Sequence, residues 1–173
     1  MNIYNKNISI IEQNQNSKPP NFKKIDNLMS RSAQINKDNI EWLQKHNITD
    51  IINFRRVDES FPLDFDESQY AKSKNMVYHN IPSYTNYPEE KNLKHFLSII
   101  EGIRQKGGKV HIHCREGADR TGMYAYIYER LVNLSSKTEA YKNFINGGWH
   151  KFDHPHLAEV AEHFVQKIKK ARK

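Results

Sequence analysis

Residues Lys109-Val-His-Ile-His-Cys-Arg-Glu-Gly-Ala-Asp-Arg-Thr-Gly122 decide the reading of this chain. Lys109 to His113 reads as a strand, and Arg120 to Leu134 as an apolar, Tyr-rich helix. A seven-residue loop, Cys114 to Arg120, joins them. A strand running through a tight loop into a helix N-terminus makes an anion site. The loop amides can turn inward as a nest, and the helix dipole adds positive potential. Gly117 lets the loop turn without a Cβ in the way. Cys114 sits at the base of the nest, where the field that would bind a phosphate dianion also favours a thiolate. Arg120 brings a planar fork that can hold two phosphate oxygens. Such a set supports phosphoryl transfer through a cysteinyl-phosphate. Cys114 attacks phosphorus, while Arg120 and the backbone of Arg115, Glu116, Gly117, Ala118 and Gly122 cradle the oxygens. Thr121 can donate to the sulfur as it leaves, and His113 orders the loop and helps hold the thiol ionised.

Outward from this stretch, strands and helices alternate. Ile25 to Ser32 reads as extended. Asn36-Lys37-Asp38 supplies cap residues for a helix that His46-Asn47 stops. Asp50 to Phe54 is a short β-branched run suited to a strand buried on both faces. Met76 to Ile81 is a further strand, ended by Pro82. Pro88-Glu89-Glu90 opens a helix broken by Gly107-Gly108. Lys137 to Ile145 and His156 to Lys170 are two more helices. Strands separated by helices imply crossovers, so the fold class is α/β with a mostly parallel sheet. Residues 1–21, with the isoleucines Ile8, Ile10 and Ile11 and then Lys18-Pro19-Pro20, read as a weakly ordered arm before a domain over 22–173.

The chain has 173 residues and a formal net charge of +7. That length suits one domain with its own core. It holds no apolar run long enough to span a bilayer, and its Asn-rich start is unlike a secretory signal. A single cysteine excludes a disulfide framework and a cysteine-based zinc cluster. The lone thiol suits a reducing compartment, so a cytoplasmic protein is expected, taken as a monomer. The positive charge suits anionic partners. Its lysines are scattered and there is no clustered basic face with aromatic platforms, so no nucleic acid is expected. His111 and His113 share a strand face but lack a third ligand, so no metal is expected.

His113-Cys114-x5-Arg120-Thr121-Gly122 resembles the signature of cysteine-dependent protein tyrosine and dual-specificity phosphatases. Met29-Ser-Arg-Ser-Ala-Gln34 and Ile51-Ile-Asn-Phe-Arg55 are similar to the start of the small bacterial and atypical dual-specificity branch. The likeness covers about residues 22 to 165. It implies a central sheet of four or five strands flanked by helices, with no cofactor. The substrate it implies is a phosphorylated protein, a phosphoinositide or an inositol phosphate. Rhodanese-like sulfurtransferases have a similar loop, but their usual version is one residue shorter. A phosphate-reading module without strong catalysis is the alternative.

The general acid departs from the family pattern. The loop Pro82 to Glu90 has no Asp. Asp119 is the leading candidate, because Glu116, Gly117 and Asp119 are similar to the myotubularin type of loop. Glu89, Glu90, Asp64 and Asp66 are the other candidates. Asp119 also has a structural reading, as an anchor for Arg120 or the loop amides. Glu116 adds negative charge at the rim, which disfavours densely phosphorylated inositols. Tyr84 and Tyr87 read as surface tyrosines or as platforms for an aryl phosphate. Arg55 and Arg56 read as structural ion pairs or as a second phosphate site. Arg31 reads as buried against a carboxylate. His150, His154 and His156 read as a loop and helix cap.

Overall fold

A computed structural model describes residues 17–172. The isoleucines of the N-terminal arm lie outside the described residues. Five strands are present among the described residues: β1 (Lys23–Lys24), β2 (Met29–Ser32), β3 (Asp50–Asn53), β4 (Val77–Asn80) and β5 (Val110–His113). They form one sheet in the order β1-β2-β5-β3-β4. Only β1 runs antiparallel; β2, β5, β3 and β4 are mutually parallel. The six helices among the described residues are α1 (Lys37–Lys45), α2 (Glu67–Ser73), α3 (Glu90–Gln105), α4 (Asp119–Leu131), α5 (Lys137–Asn146) and α6 (Leu157–Ala171).

Local chemistry sets the element ends. Asn36 caps α1 and forms a reciprocal capping box with Asn39. Asp66 caps α2 by accepting from the Gln69 amide. Neither α2 nor its cap was expected from the sequence. At seven residues, the helix is too short to show a clear period.

The period-two rule divides the core. Ile51 joins Ile35, Ile40, Leu43, Ala71 and Met76 on the face covered by α1 and α2. Its neighbour Ile52 joins Ile112, Phe54, Phe96, Ile100 and the α4 residues on the other face. Burying each such large side chain contributes about 1.5–3 kcal/mol before entropy is counted. Helix α4 is buried along its length from Thr121 to Leu131, so it is the hub of that layer. Its three buried tyrosines each find a partner for the hydroxyl. Tyr124 meets Ser83, Tyr126 donates to Glu162 and Tyr128 donates to Asp26.

Candidate active site

Strand β5 is central, and its C-terminal end is where a parallel sheet presents ligands. His113 is in register with Ser32 of β2 and Asn53 of β3. The next residue, Cys114, is 3% exposed. The chain then turns through Arg115–Ala118 into α4.

The loop is pinned by its carbonyls. Arg31 donates to the carbonyls of Gly117, Ala118 and Gly147. The Gln34 amide donates to the Arg115 carbonyl at 2.9 Å. Arg31 is therefore buried against carbonyls, not against the carboxylate expected from the sequence. Burial pulls its guanidinium below the ordinary value, against the charges of Cys114, Glu129 and Asp119. Gly117 has a φ of +70°, and a Cβ there would lie 2.3 Å from the Ser32 carbonyl oxygen. A Cβ on Gly122 would lie 2.4 Å from the Phe144 ring. Both glycines are therefore fixed by close packing.

Cys114, Arg115, Glu116, Asp119 and Arg120 line one small cavity of about 70 Å³. That is room for roughly two water molecules. Arg120 donates to both oxygens of Glu59, a residue on the loop between β3 and α2. Burial opposes its charge, but Glu59 and Cys114 hold the guanidinium above its ordinary value. Burial likewise works against the Glu59 carboxylate, and Arg120 and the Arg56 amide more than offset it. The Thr121 hydroxyl is buried without a hydrogen-bond partner among the described residues. His113 is fully buried and its Nε2 lies 2.7 Å from Glu67 Oε1.

Asp119 does not anchor Arg120. Its two carboxylate oxygens accept from the His150 amide and His150 Nδ1, both at 2.9 Å. Glu116 lies 3.7 Å from the other ring nitrogen. Hydrogen bonding and charge from Asp119 raise the His150 pKa. His150 is thus part of the loop's rim.

The other acid candidates are engaged elsewhere. Glu90 is held by Lys167 and Lys94, which drive its pKa down to about 2. Glu89 pairs with Lys91 at 2.6 Å. Asp66 caps α2, and Asp64 lines a separate surface groove with Lys37, Gln69 and Tyr70.

Arg55 and Arg56 pair with Glu59 and Asp58. Tyr84 and Tyr87 stack on each other at 4.5 Å, and Arg56 lies 4.0 Å over Tyr84. His111 is buried between the hydroxyls of Ser30 and Ser32. Burial, followed by the nearby His113, drives its pKa down. No group of three His, Cys, Asp or Glu is placed to hold a metal among the described residues. No helix there is long and apolar enough to cross a membrane.

Sequence reading missed Glu59 and Glu67, and gave Gln34 no role beyond its place in the Met29-to-Gln34 motif. Only the position of Glu59, in a loop at the C-terminal edge of the sheet, could have flagged it.

Several solved structures share the fold. TpbA of P. aeruginosa, crystallised in complex with phosphotyrosine, is 17% identical with a TM-score of 0.69, covering 86% of this chain and 90% of its own. PTPMT1 in complex with PI(5)P is 20% identical with a TM-score of 0.71, covering 88% and 99%. Tk-PTP is 19% identical with a TM-score of 0.73, covering 86% and 96%. No curated protein sequence matches the chain. The tyrosine phosphatase family itself matches residues 26–144, spanning the four parallel strands, the Cys114 loop and α4, and the chain belongs to that family.

Proposed function

We propose that the protein hydrolyses phosphate monoesters through a phosphoryl group carried on Cys114. The observation that carries this reading is the cavity in which Cys114, Asp119 and Arg120 meet. Cys114 Sγ attacks phosphorus and the ester oxygen leaves. Arg120 and the loop backbone stabilise the equatorial oxygens. Asp119 protonates the leaving oxygen, and the proton it shares with His150 Nδ1 is the one available for this. Water then attacks the phosphocysteine, Asp119 takes its proton, and inorganic phosphate departs from the thiolate. The unpartnered Thr121 hydroxyl is free to donate to the sulfur at that stage. His113 orders the loop from behind. Arg115, Glu116, Gly117, Ala118 and Gly122 shape the cradle.

For the substrate, the relatives bound to phosphotyrosine and to PI(5)P support two classes, a phosphoprotein and a phosphoinositide. Glu116 at the rim is paired with Arg115 at 2.5 Å, which partly offsets its negative charge toward either class. The phosphatase domain is taken as residues 22–173, with 1–21 as an arm. We place the protein in the cytoplasm on the strength of its lone thiol, and take it as a monomer.

A second reading, a phosphate-reading module with weak catalysis, draws on one observation. Asp119 already accepts two hydrogen bonds from His150. Turnover of an aryl phosphate with chelator present separates the two. Turnover that Cys114→Ser abolishes supports the enzyme. Phosphate binding without turnover supports the module.

A further inference from the structure

A hydrogen-bonded chain, buried at its His113 end and part-buried beyond it, links the two ends of the Cys114 loop. At one end, His113 Nε2 meets Glu67 Oε1 at 2.7 Å. Gln34 Nε2 donates to Glu67 Oε2 at 2.7 Å. Arg55 Nη1 donates to Gln34 Oε1 at 2.8 Å. Arg55 Nε donates to Glu59 Oε2 at 3.3 Å. Glu59 then receives the Arg120 fork. Four segments distant in sequence contribute, and His113, Glu67 and Arg55 are each at most 7% exposed.

The chain has a fixed polarity. A guanidinium only donates, so Arg55 must face the oxygen of the Gln34 amide. The amide nitrogen therefore faces Glu67, and Glu67 Oε2 must accept. At the far end, His113 Nδ1 faces the Cys114 carbonyl at 3.4 Å, and that group only accepts. The two ring nitrogens of His113 thus face Glu67 Oε1 and the Cys114 carbonyl. The other ionisable groups around this end are His111 on β5, Tyr78 on β4 and Asp66 on α2. His111 is satisfied by Ser30 and Ser32. Tyr78 takes a hydrogen bond from Asn53 at 2.9 Å. Asp66 caps α2. Glu67 is therefore shared by His113, Gln34 and the Tyr78 hydroxyl.

We propose that Glu67 is a positioning residue. Its side chain holds the His113 ring in place behind Cys114. Through Gln34, Arg55 and Glu59 it also sets the nucleophile and the Arg120 fork as one unit. The proposal rests on the phosphatase reading for its kinetic consequences but not for its effect on the thiol.

The test uses the full chain with wild type, Glu67→Gln, Glu59→Gln, the double variant and Gln34→Leu. Each is checked for folding by circular dichroism. Two readouts are taken: aryl phosphate kinetics, and the rate of Cys114 alkylation by iodoacetamide with and without tungstate. Glu67→Gln is expected to lower kcat about tenfold with KM unchanged, and to slow alkylation. Glu59→Gln should raise KM and weaken tungstate protection. Because the two belong to one chain, the double variant should lose about fivefold less activity than the product of the single losses. Gln34→Leu cuts the chain in the middle and should show both defects. It carries the test if Glu67→Gln does not fold.

Unchanged alkylation and kcat in folded Glu67→Gln would overturn the proposal, as would losses that simply multiply. If wild type turns over no aryl phosphate while alkylation still depends on Glu67 and Gln34, the phosphatase reading fails and the positioning role stands.

Discussion

The two flanks of the Cys114 loop are built differently. On the Arg120 flank, the fork is gripped by Glu59, with both side chains 12–13% exposed and Arg55 packed behind. On the Asp119 flank, the contact is a single histidine, His150, whose side chain is 45% exposed. Buried charge pairs are costly to break and hold one geometry. Exposed pairs are worth little and exchange readily with water. On the proposed mechanism, the half that would bind phosphate is therefore set before substrate arrives, while the half that would carry the proton stays adjustable.

Four substitutions sharpen or break that contrast. Arg120→Lys removes the planar fork and strands Glu59. It should cost about 100- to 1000-fold in kcat/KM on an aryl phosphate, read from steady-state kinetics. A loss under tenfold would mean the Glu59 grip does not hold a binding residue. Asp119→Asn should lower kcat by about 100-fold and flatten the basic limb of the pH–rate profile. An unchanged profile would move the acid elsewhere.

Gly117→Ala puts a Cβ against the Ser32 carbonyl at a φ of +70°. It should cost about 2–3 kcal/mol of stability by chemical denaturation and misplace the loop amides. His150→Ala is the smallest change. The His150 pKa is raised by Asp119, so its contribution to stability is full below about pH 6.5 and is lost as pH rises through the folded value. Because the side chain is 45% exposed, the effect should stay under about 1 kcal/mol. Melting curves of wild type and variant should differ most at acidic pH and converge at alkaline pH.

What could be read from the sequence follows from what is local. The Cys114 loop sits in one continuous stretch, so its strand, turn and helix start could be read together. The β-branched run Asp50 to Phe54 and the two strands beside it likewise imply a parallel sheet. The network around the loop is assembled from segments far apart in the chain. Glu67, directly after the Asp66 cap, reads as an ordinary acidic residue in a first helical turn. His150 reads as loop polarity until α5 delivers it to Asp119. Arg31 suggests a carboxylate partner, yet the fold offers it three carbonyls. Side-chain partners of this kind depend on strand order, which the residues alone do not display.

The central claim is that phosphate passes through Cys114. The most direct measurement is rapid acid quench of the protein during turnover of an aryl phosphate, with mass spectrometry of the peptide containing Cys114. A phosphoryl group on Cys114, enriched in Thr121→Ala and absent from Cys114→Ser, is the predicted result. Steady turnover by Cys114→Ser, with no phosphoryl group on the wild-type peptide, would contradict it.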